Sequence, residues 1–298
     1  MNLTASLQDR LRNQARQHGT SFASMLEQFA LSRFLARLAM SDHADQFILK
    51  GAQLFRFLSA KSHRPTRDAD FLSYGDHTAD ELGAIFTTIC EITPLEEDAL
   101  AWENVRSAAI RDENAYGGVR VLITAKLGKV KIPLQFDIGF GDAITPAILH
   151  QSWPSLLGYS EVPLATYPLE TVIAEKLEAA VSLGINNSRM KDFYDLHWLL
   201  SHLTFDGAIL TQAVKNTFAR RATDIPKRTP LAFTGEFSSD SAKVTQWKSF
   251  LRKSKLPQQE LTTTIQHLSD FLQPVLAHQV AGYKWTPEEQ WQPIDLKA

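Results

Sequence analysis

Cysteine is almost missing from this sequence: Cys90 is the single one in 298 residues. An intramolecular disulfide is excluded, and the usage fits a reducing compartment. Cys90 lies among Leu82, Ile85, Phe86 and Ile89, the setting of a small buried hydrophobe, not of a reactive thiol. Long apolar runs are missing too, since no stretch approaches the roughly 20 residues that span a bilayer. The leading MNLTASLQDRLRNQ has no apolar core behind a basic start, so it does not read as a signal peptide. A soluble, cytoplasmic protein without a membrane partner is expected. There is no internal repeat, no low-complexity tract and no credible helix-turn-helix signature. Charge of one sign is scarce overall, with 31 Lys and Arg against 33 Asp and Glu.

That balance hides an asymmetry. Residues 215–255 hold ten basic side chains against three acidic ones, a local +7 in a chain whose net charge is −2. Such a segment, with Arg220, Arg221, Lys227 and Arg228 at its start, suits either a polyanion such as RNA or a set of solvated helix faces.

With 44% hydrophobic and 21% charged residues, the chain can bury a sizeable core, and its length suggests one large or two modest domains. Two leading helices are read from Leu3, Leu7 and Leu11 and from the stripe Phe22, Met25, Leu26, Phe29, Phe34, Leu35, Leu38, with Thr4 as the first cap and Gly19 as a stop. Strands are expected at 47–49, around 71–72, and at 105–111, 119–125 and 130–138, with helices at 52–58 and 78–92. The turn-prone Tyr116-Gly117-Gly118 joins two of those strands. From Pro146 onward the pattern reads as helical, with Pro168 opening a helix and 225–241 as a loop. The expected layout is an α/β domain over 1–145 and a helical domain over 146–298.

Four motifs carry chemistry. In Leu49-Lys50-Gly51-Ala52 a strand turns at glycine into a helix, where the backbone can approach phosphate oxygens. About 17 residues later, Arg64-Pro-Thr66-Arg67-Asp68-Ala-Asp70-Phe71 places two carboxylates two apart on a strand, hence on one face. They repel unless a cation lies between them, and oxygen ligands of this kind suit Mg²⁺, with Mn²⁺ as a substitute. A turn or helix cap is the structural alternative. In Ile132-Pro-Leu134-Gln-Phe136-Asp137-Ile138, alternation takes Asp137 off the core face. If its strand neighbours that of Asp68, three carboxylates converge and can activate a hydroxyl for attack at phosphorus. Asp142 reads as a turn residue. Finally, Lys176 lies in an apolar helix, and Asp192 and Asp195 lie one turn apart on another. Lys176 either addresses an anion or forms an inter-helix salt bridge with one of those aspartates.

Taken in order, Lys50-Gly51, Asp68-Ala-Asp70, Asp137, Ala-Glu-Lys176 and Arg189-Met-Lys-Asp192-Phe-Tyr-Asp195 resemble the AbiEii-type nucleotidyltransferase toxins, from about residue 11 to 274. The resemblance implies a polymerase-beta-like nucleotidyltransferase domain with a mixed sheet and flanking helices, then a helical domain. It implies NTP as substrate, held around Lys50, Gly51, Ala52, Arg64, Thr66 and Arg67, with metal on Asp68, Asp70 and Asp137. Lys176 would neutralise phosphate charge, and Asp192 and Asp195 would complete the site. The implied partners are an acceptor RNA, in some relatives the tRNA 3′ end, and a cognate antitoxin protein. A GTP- or NTP-binding module, or a transferase that modifies a protein, is the alternative. Thr66 matches a hydroxyl that is phosphorylated in some relatives. Ala52 departs from the serine common after the motif glycine, a loss of one phosphate donor worth about 1–3 kcal/mol.

Overall fold

The computed structural model describes residues 2–58, 63–110, 117–154 and 156–294. The described chain divides into two compact units, the residues up to 141 with those of 149–167, and 142–148 with the residues from 168 onward.

The first unit begins with α1 (Leu3–Gln17) and α2 (Phe22–Ala39). Asn2, not Thr4, accepts from the first turn of α1, and Ser21 caps α2. Then come β1 (Phe47–Lys50), α3 (Phe55–Leu58), β2 (Asp68–Ser73) and α4 (Ala79–Glu91). Gly51–Leu54 forms a 3-10 turn, so the helix expected over 52–58 is split. In α4 the Thr78 hydroxyl and the Glu81 carboxylate close a capping box. β3 (Leu100–Ile110), β4 (Gly118–Leu127), β5 (Val130–Phe140), β6 (Leu149–Trp153) and β7 (Val162–Thr166) complete the unit. Arg111 and Tyr116 lie outside the described residues.

These strands make one mixed sheet in the order β3-β4-β5-β2-β1-β7-β6. β2 runs parallel to β5 and antiparallel to β1, and β1 runs parallel to β7. The expectation of a helical pattern from Pro146 almost to the end is corrected here: β6 and β7 are strands that join the first unit. Each has five residues, too few positions for alternation to stand out, and β7 gains its place by pairing with β1.

One sheet face is packed by α2 and α4. Phe34 lies 4.4 Å from Phe136 and 5.3 Å from Phe86, which in turn lies 5.5 Å from Phe47. Fully burying rings of this size contributes about 2–3 kcal/mol each. α2 is buried on nearly all sides, arginines included: Arg33 and Arg37 both reach the buried carboxylate of Asp98, at 3.1 and 2.6 Å. Because that face is filled, the polar residues of β2, β4 and β5 must occupy the other.

The second unit holds α5 (Leu169–Leu183), α6 (Met190–His202), β8 (Phe205–Asp206), α7 (Gly207–Arg220), α8 (Gly235–Ser239), α9 (Ser241–Lys253), α10 (Leu261–Leu276), β9 (Tyr283–Thr286) and β10 (Gln290–Pro293). It is mainly helical, yet β8, β9 and β10 form a small antiparallel sheet. Trp285 seals it: the ring sits 4.8 Å from Phe271, and the indole N–H donates to the Leu200 carbonyl at 2.9 Å. The expected loop over 225–241 contains buried Phe233 and Phe237 and the short α8, so its second half is core.

Candidate active site

β1 ends at Lys50, and Gly51 follows with φ +71, a conformation that glycine adopts without steric cost. A second constraint acts there. A Cβ at 51 would collide with Asp70 Oδ2 and lie 2.8 Å from its Cγ. Glycine thus lets the end of β1 press against a carboxylate. Gly51→Ala is expected to strain the backbone by about 1–3 kcal/mol and to push Asp70 aside. Chemistry that depends on the Asp70 carboxylate should fall more than tenfold while thermal unfolding shifts by only a few degrees. An unchanged rate would show that Asp70 need not stay where Gly51 leaves it.

Cross-strand register sets the site's electrostatics. Lys50 pairs with Asp70, Asp70 with Asp137, and Asp137 with Arg120. Directly paired residues share a sheet face, so β1, β2, β5 and β4 present a row of cation, carboxylate, carboxylate, cation. Arg120 donates to both Asp137 oxygens, at 2.8 and 2.7 Å, and Gln135 Nε2 lies 3.4 and 3.3 Å from the same pair. The pKa of Arg120 is raised, first by its hydrogen bond to Asp137 and, against the cost of burial, by the charges of Asp137, Asp68 and Asp70. Its guanidinium therefore senses all three carboxylates. Lys50 Nζ stands 5.2 Å from the centre of the Tyr167 ring, an aromatic floor for the ammonium.

A supporting layer fixes the start of β2. The Asp68 carbonyl accepts from buried Gln53 Nε2 at 3.2 Å and, more weakly, from Thr66 Oγ1 at 3.5 Å. Arg56 Nε donates in turn to Gln53 Oε1 at 2.8 Å. Burial lowers the pKa of Arg56 to about 10. Arg67 is exposed and lies 3.7 Å from Glu27 of α2. Glu27 has a raised pKa, through burial first, with Arg67 opposing and Asp68 adding to the rise. Arg64 Nη1 lies 3.5 Å from the Pro65 carbonyl oxygen.

The metal expectation can be weighed against this geometry. Among the described residues, no group of three or more His, Cys, Asp or Glu side chains is gathered into a metal cage. Asp68, Asp70 and Asp137 share one face of adjacent strands, but Arg120 holds both oxygens of Asp137. What remains is a pair of carboxylates on β2. Mg²⁺ characteristically takes one or two carboxylates and completes its shell with substrate phosphates and water, so the donor chemistry fits.

In the second unit, Lys176 of α5 forms the inter-helix salt bridge, and it does so with both aspartates of α6. Nζ lies 2.6 Å from Asp192 Oδ1 and 2.9 Å from Asp195 Oδ2, and Arg189 Nε lies 2.7 Å from Asp192 Oδ2. Asp192 is 4% exposed and Asp195 0%. Burial works against the charge of Lys176, yet its two carboxylate partners prevail and raise its pKa. Asp192 is likewise opposed by burial, and Lys176 and Arg189 carry its pKa below the ordinary carboxylate value.

The basic segment is not one continuous cationic face. Arg220, Lys227 and Arg228 are exposed. Arg221 departs from the expected RNA-gripping position. It is largely buried and bonded to Glu178 at 2.9 Å and Asp142 at 3.2 Å, with Glu175 at 3.5 Å. Lys243 is also buried, its Nζ donating to the Asn187 carbonyl at 3.0 Å. Asp142, expected only to shape a turn, is an anchor for Arg221.

Sequence reasoning missed Arg120, Gln135 and Glu27. A signal existed for the first: Gly128, at φ +64, and Lys129 make a two-residue hairpin that pairs Leu127 with Val130. Counting outward from that turn sets Arg120 opposite Asp137.

Two solved structures from Helicobacter pylori resemble the chain. One is JHP933, at 18% identity and TM-score 0.46, covering 85% of this chain and 93% of that one. The other, described as a candidate nucleotidyltransferase, has the same identity and TM-score and covers 89% and 96%. No curated protein gives a significant match. The family model for the nucleotidyl transferase AbiEii toxin of type IV toxin–antitoxin systems matches residues 33–273. With most of its length inside that match, the chain belongs to the AbiEii family of nucleotidyl transferase toxins.

Proposed function

We propose that this chain transfers a nucleoside monophosphate from an NTP to the 3′ end of an acceptor RNA, a tRNA in the reading we favour, and so blocks translation until its antitoxin intervenes. The observation that carries the reading is the row Lys50, Asp70, Asp137, Arg120, with Gly51 pressed onto its second member. Such a row sets Asp70, beside Asp68 on the same strand face, toward a divalent ion, keeps Lys50 for phosphate oxygens, and fixes Asp137 against Arg120.

The roles follow from position. Lys50 and the backbone at Gly51 and Ala52 receive the triphosphate on the β1 side, with Arg64, Thr66 and Arg67 on the segment that leads into β2. Asp68 and Asp70 would hold the metal. When bound, it supplies charge neutralisation at the phosphates and favours the ionised form of the attacking hydroxyl. Asp137, held in one plane by Arg120, receives the hydroxyl proton. The RNA oxygen bonds to the α-phosphorus, the α–β anhydride bond breaks, and pyrophosphate leaves. Positioning and charge do most of the work in such a displacement. Lys176, kept charged by Asp192 and Asp195, is proposed as a cation that can neutralise phosphate charge.

The direct test incubates the purified chain with total RNA and each labelled NTP in turn, with Mg²⁺, Mn²⁺ or chelator, and sizes the product. We expect label on small RNA, with one nucleotide preferred, and none in chelator. Label appearing on protein instead would move the acceptor to the protein-modifying alternative. No transfer with any nucleotide and either metal would sink the reading.

A further inference from the structure

We infer that the open face of β3, β4 and β5 is the track along which the acceptor polynucleotide runs to the carboxylates. This inference rests on the transfer reading above and names the surface its acceptor uses. The key observation is a β-bulge. Glu103 pairs with Thr124, yet Arg106, not Val105, pairs with Leu122. Asn104, at φ +57, takes up the extra residue. A bulge of this kind re-aims the side chains that follow it. Without it, Val105 would stand opposite Leu122 and Arg106 would point to the other face.

Arg106 is thereby brought into the row Arg106, Leu122, Gln135, Asp68, which crosses β3, β4, β5 and β2 beside the charged row already described. Strands lie about 4.8 Å apart, so Arg106 is rooted roughly 14 Å from the metal-binding strand. That is too far to touch the reacting phosphate, and a suitable reach for the chain that brings the hydroxyl. Arg106 is exposed and has no hydrogen bond or ion pair among the described residues. Leu122 is 44% exposed, an apolar surface on a polar face where a base can rest. Farther along, Lys131 is 69% exposed, and it and Lys126 lie 3.9 and 3.4 Å from Glu103, so the one acidic residue there is already neutralised. The face is thus cationic away from the carboxylates and continuous with them.

Charge complementarity selects a polyanion as the occupant. On the opposite side of β2, the end of β1 with Gly51 is given to the nucleotide, which leaves this side for the acceptor. The segment 215–255 is a weaker choice, since Arg221 and Lys243 serve the interior of their own unit.

The test measures binding of 5′-labelled, deacylated bulk tRNA to the full chain across a range of salt, together with Mg²⁺-dependent NTP binding as a control on folding. Arg106→Glu combined with Lys131→Glu should weaken tRNA binding at least tenfold and reduce the salt slope by about one to two, leaving NTP binding unchanged. Arg106→Lys should keep most of the affinity. Wild-type affinity and slope in the double variant would overturn the track while leaving the transfer reading intact. So would unchanged tRNA binding with lost neutralisation by the antitoxin, which would give the face to the protein partner. A wild-type chain that binds no tRNA and transfers to no RNA overturns both.

Discussion

Lys176→Met is expected to cost about 3–5 kcal/mol of folding stability, because it leaves two carboxylates buried without their shared counter-charge. Asp192 and Asp195 are 4% and 0% exposed, and Lys176 Nζ lies within hydrogen-bond distance of both. Arg189, on the solvent side of Asp192, can compensate for only one of them. Loss of toxicity in a Lys176 variant is therefore ambiguous until stability is measured. Denaturant unfolding resolves it: a midpoint near that of wild type would mean that the aspartates are solvated or protonated, against their burial. Replacing all three polar side chains, as Lys176→Met with Asp192→Leu and Asp195→Leu, should recover much of the loss, since an apolar substitute for a buried ion pair is often close to neutral. A recovered fold without transfer would then give the cluster of Lys176, Asp192 and Asp195 a chemical role beyond folding.

The same cluster sets a pH window. The folded-state pKa of Lys176 is raised, so its contribution is complete below the unfolded value of about 10.4 and is lost only as pH climbs past the folded one. That of Asp192 is lowered, so its contribution is complete above the unfolded value of about 3.9 and is lost as pH falls through the folded one. Stability from this cluster should stay flat across neutral pH and fail first in strong acid.

How much of this was legible beforehand depended on the range of the interaction. Asp68 and Asp70 were legible because a period of two is a local property, and Gly51 because a strand that turns at glycine is one as well. Arg120 was legible in principle through the Gly128-Lys129 hairpin, which fixes its register by counting. The bulge at Asn104 was not, since no residue type announces a slip that depends on the partner strand. Arg221 shows the opposite failure. A window of charge over 215–255 cannot see Asp142 or Glu178, which lie 79 and 43 residues away and claim its guanidinium. β7 escaped for the same reason, because its parallel pairing to β1 is settled more than a hundred residues away in sequence, and β6 then pairs with β7.

The largest effect on chemistry should come from Asp70→Asn. The change keeps shape and volume, so the side chain still fits against Gly51, and the packed face of the sheet is untouched. What changes is charge. Lys50 on one side keeps its cation, and Arg120 on the other keeps Asp137, but β2 retains only Asp68 as an anionic ligand. On the proposed roles, a divalent ion would then lack half of its protein carboxylates, and the phosphates would lose the charge that orients them against the attacking hydroxyl. A fall in transfer of about 10³-fold, about 4 kcal/mol of barrier, is expected, with unfolding temperature nearly unchanged. Asp137→Asn should act differently. It frees Arg120 from its paired acceptor, so, on the proposed roles, RNA and nucleotide binding would be kept or strengthened while the rate would fall through loss of the proton-accepting oxygen. Comparing the two variants separates holding the metal from handling the proton. If Asp70→Asn transferred nucleotide within tenfold of wild type, the charge row would be a structural ladder and the site would have to be sought elsewhere.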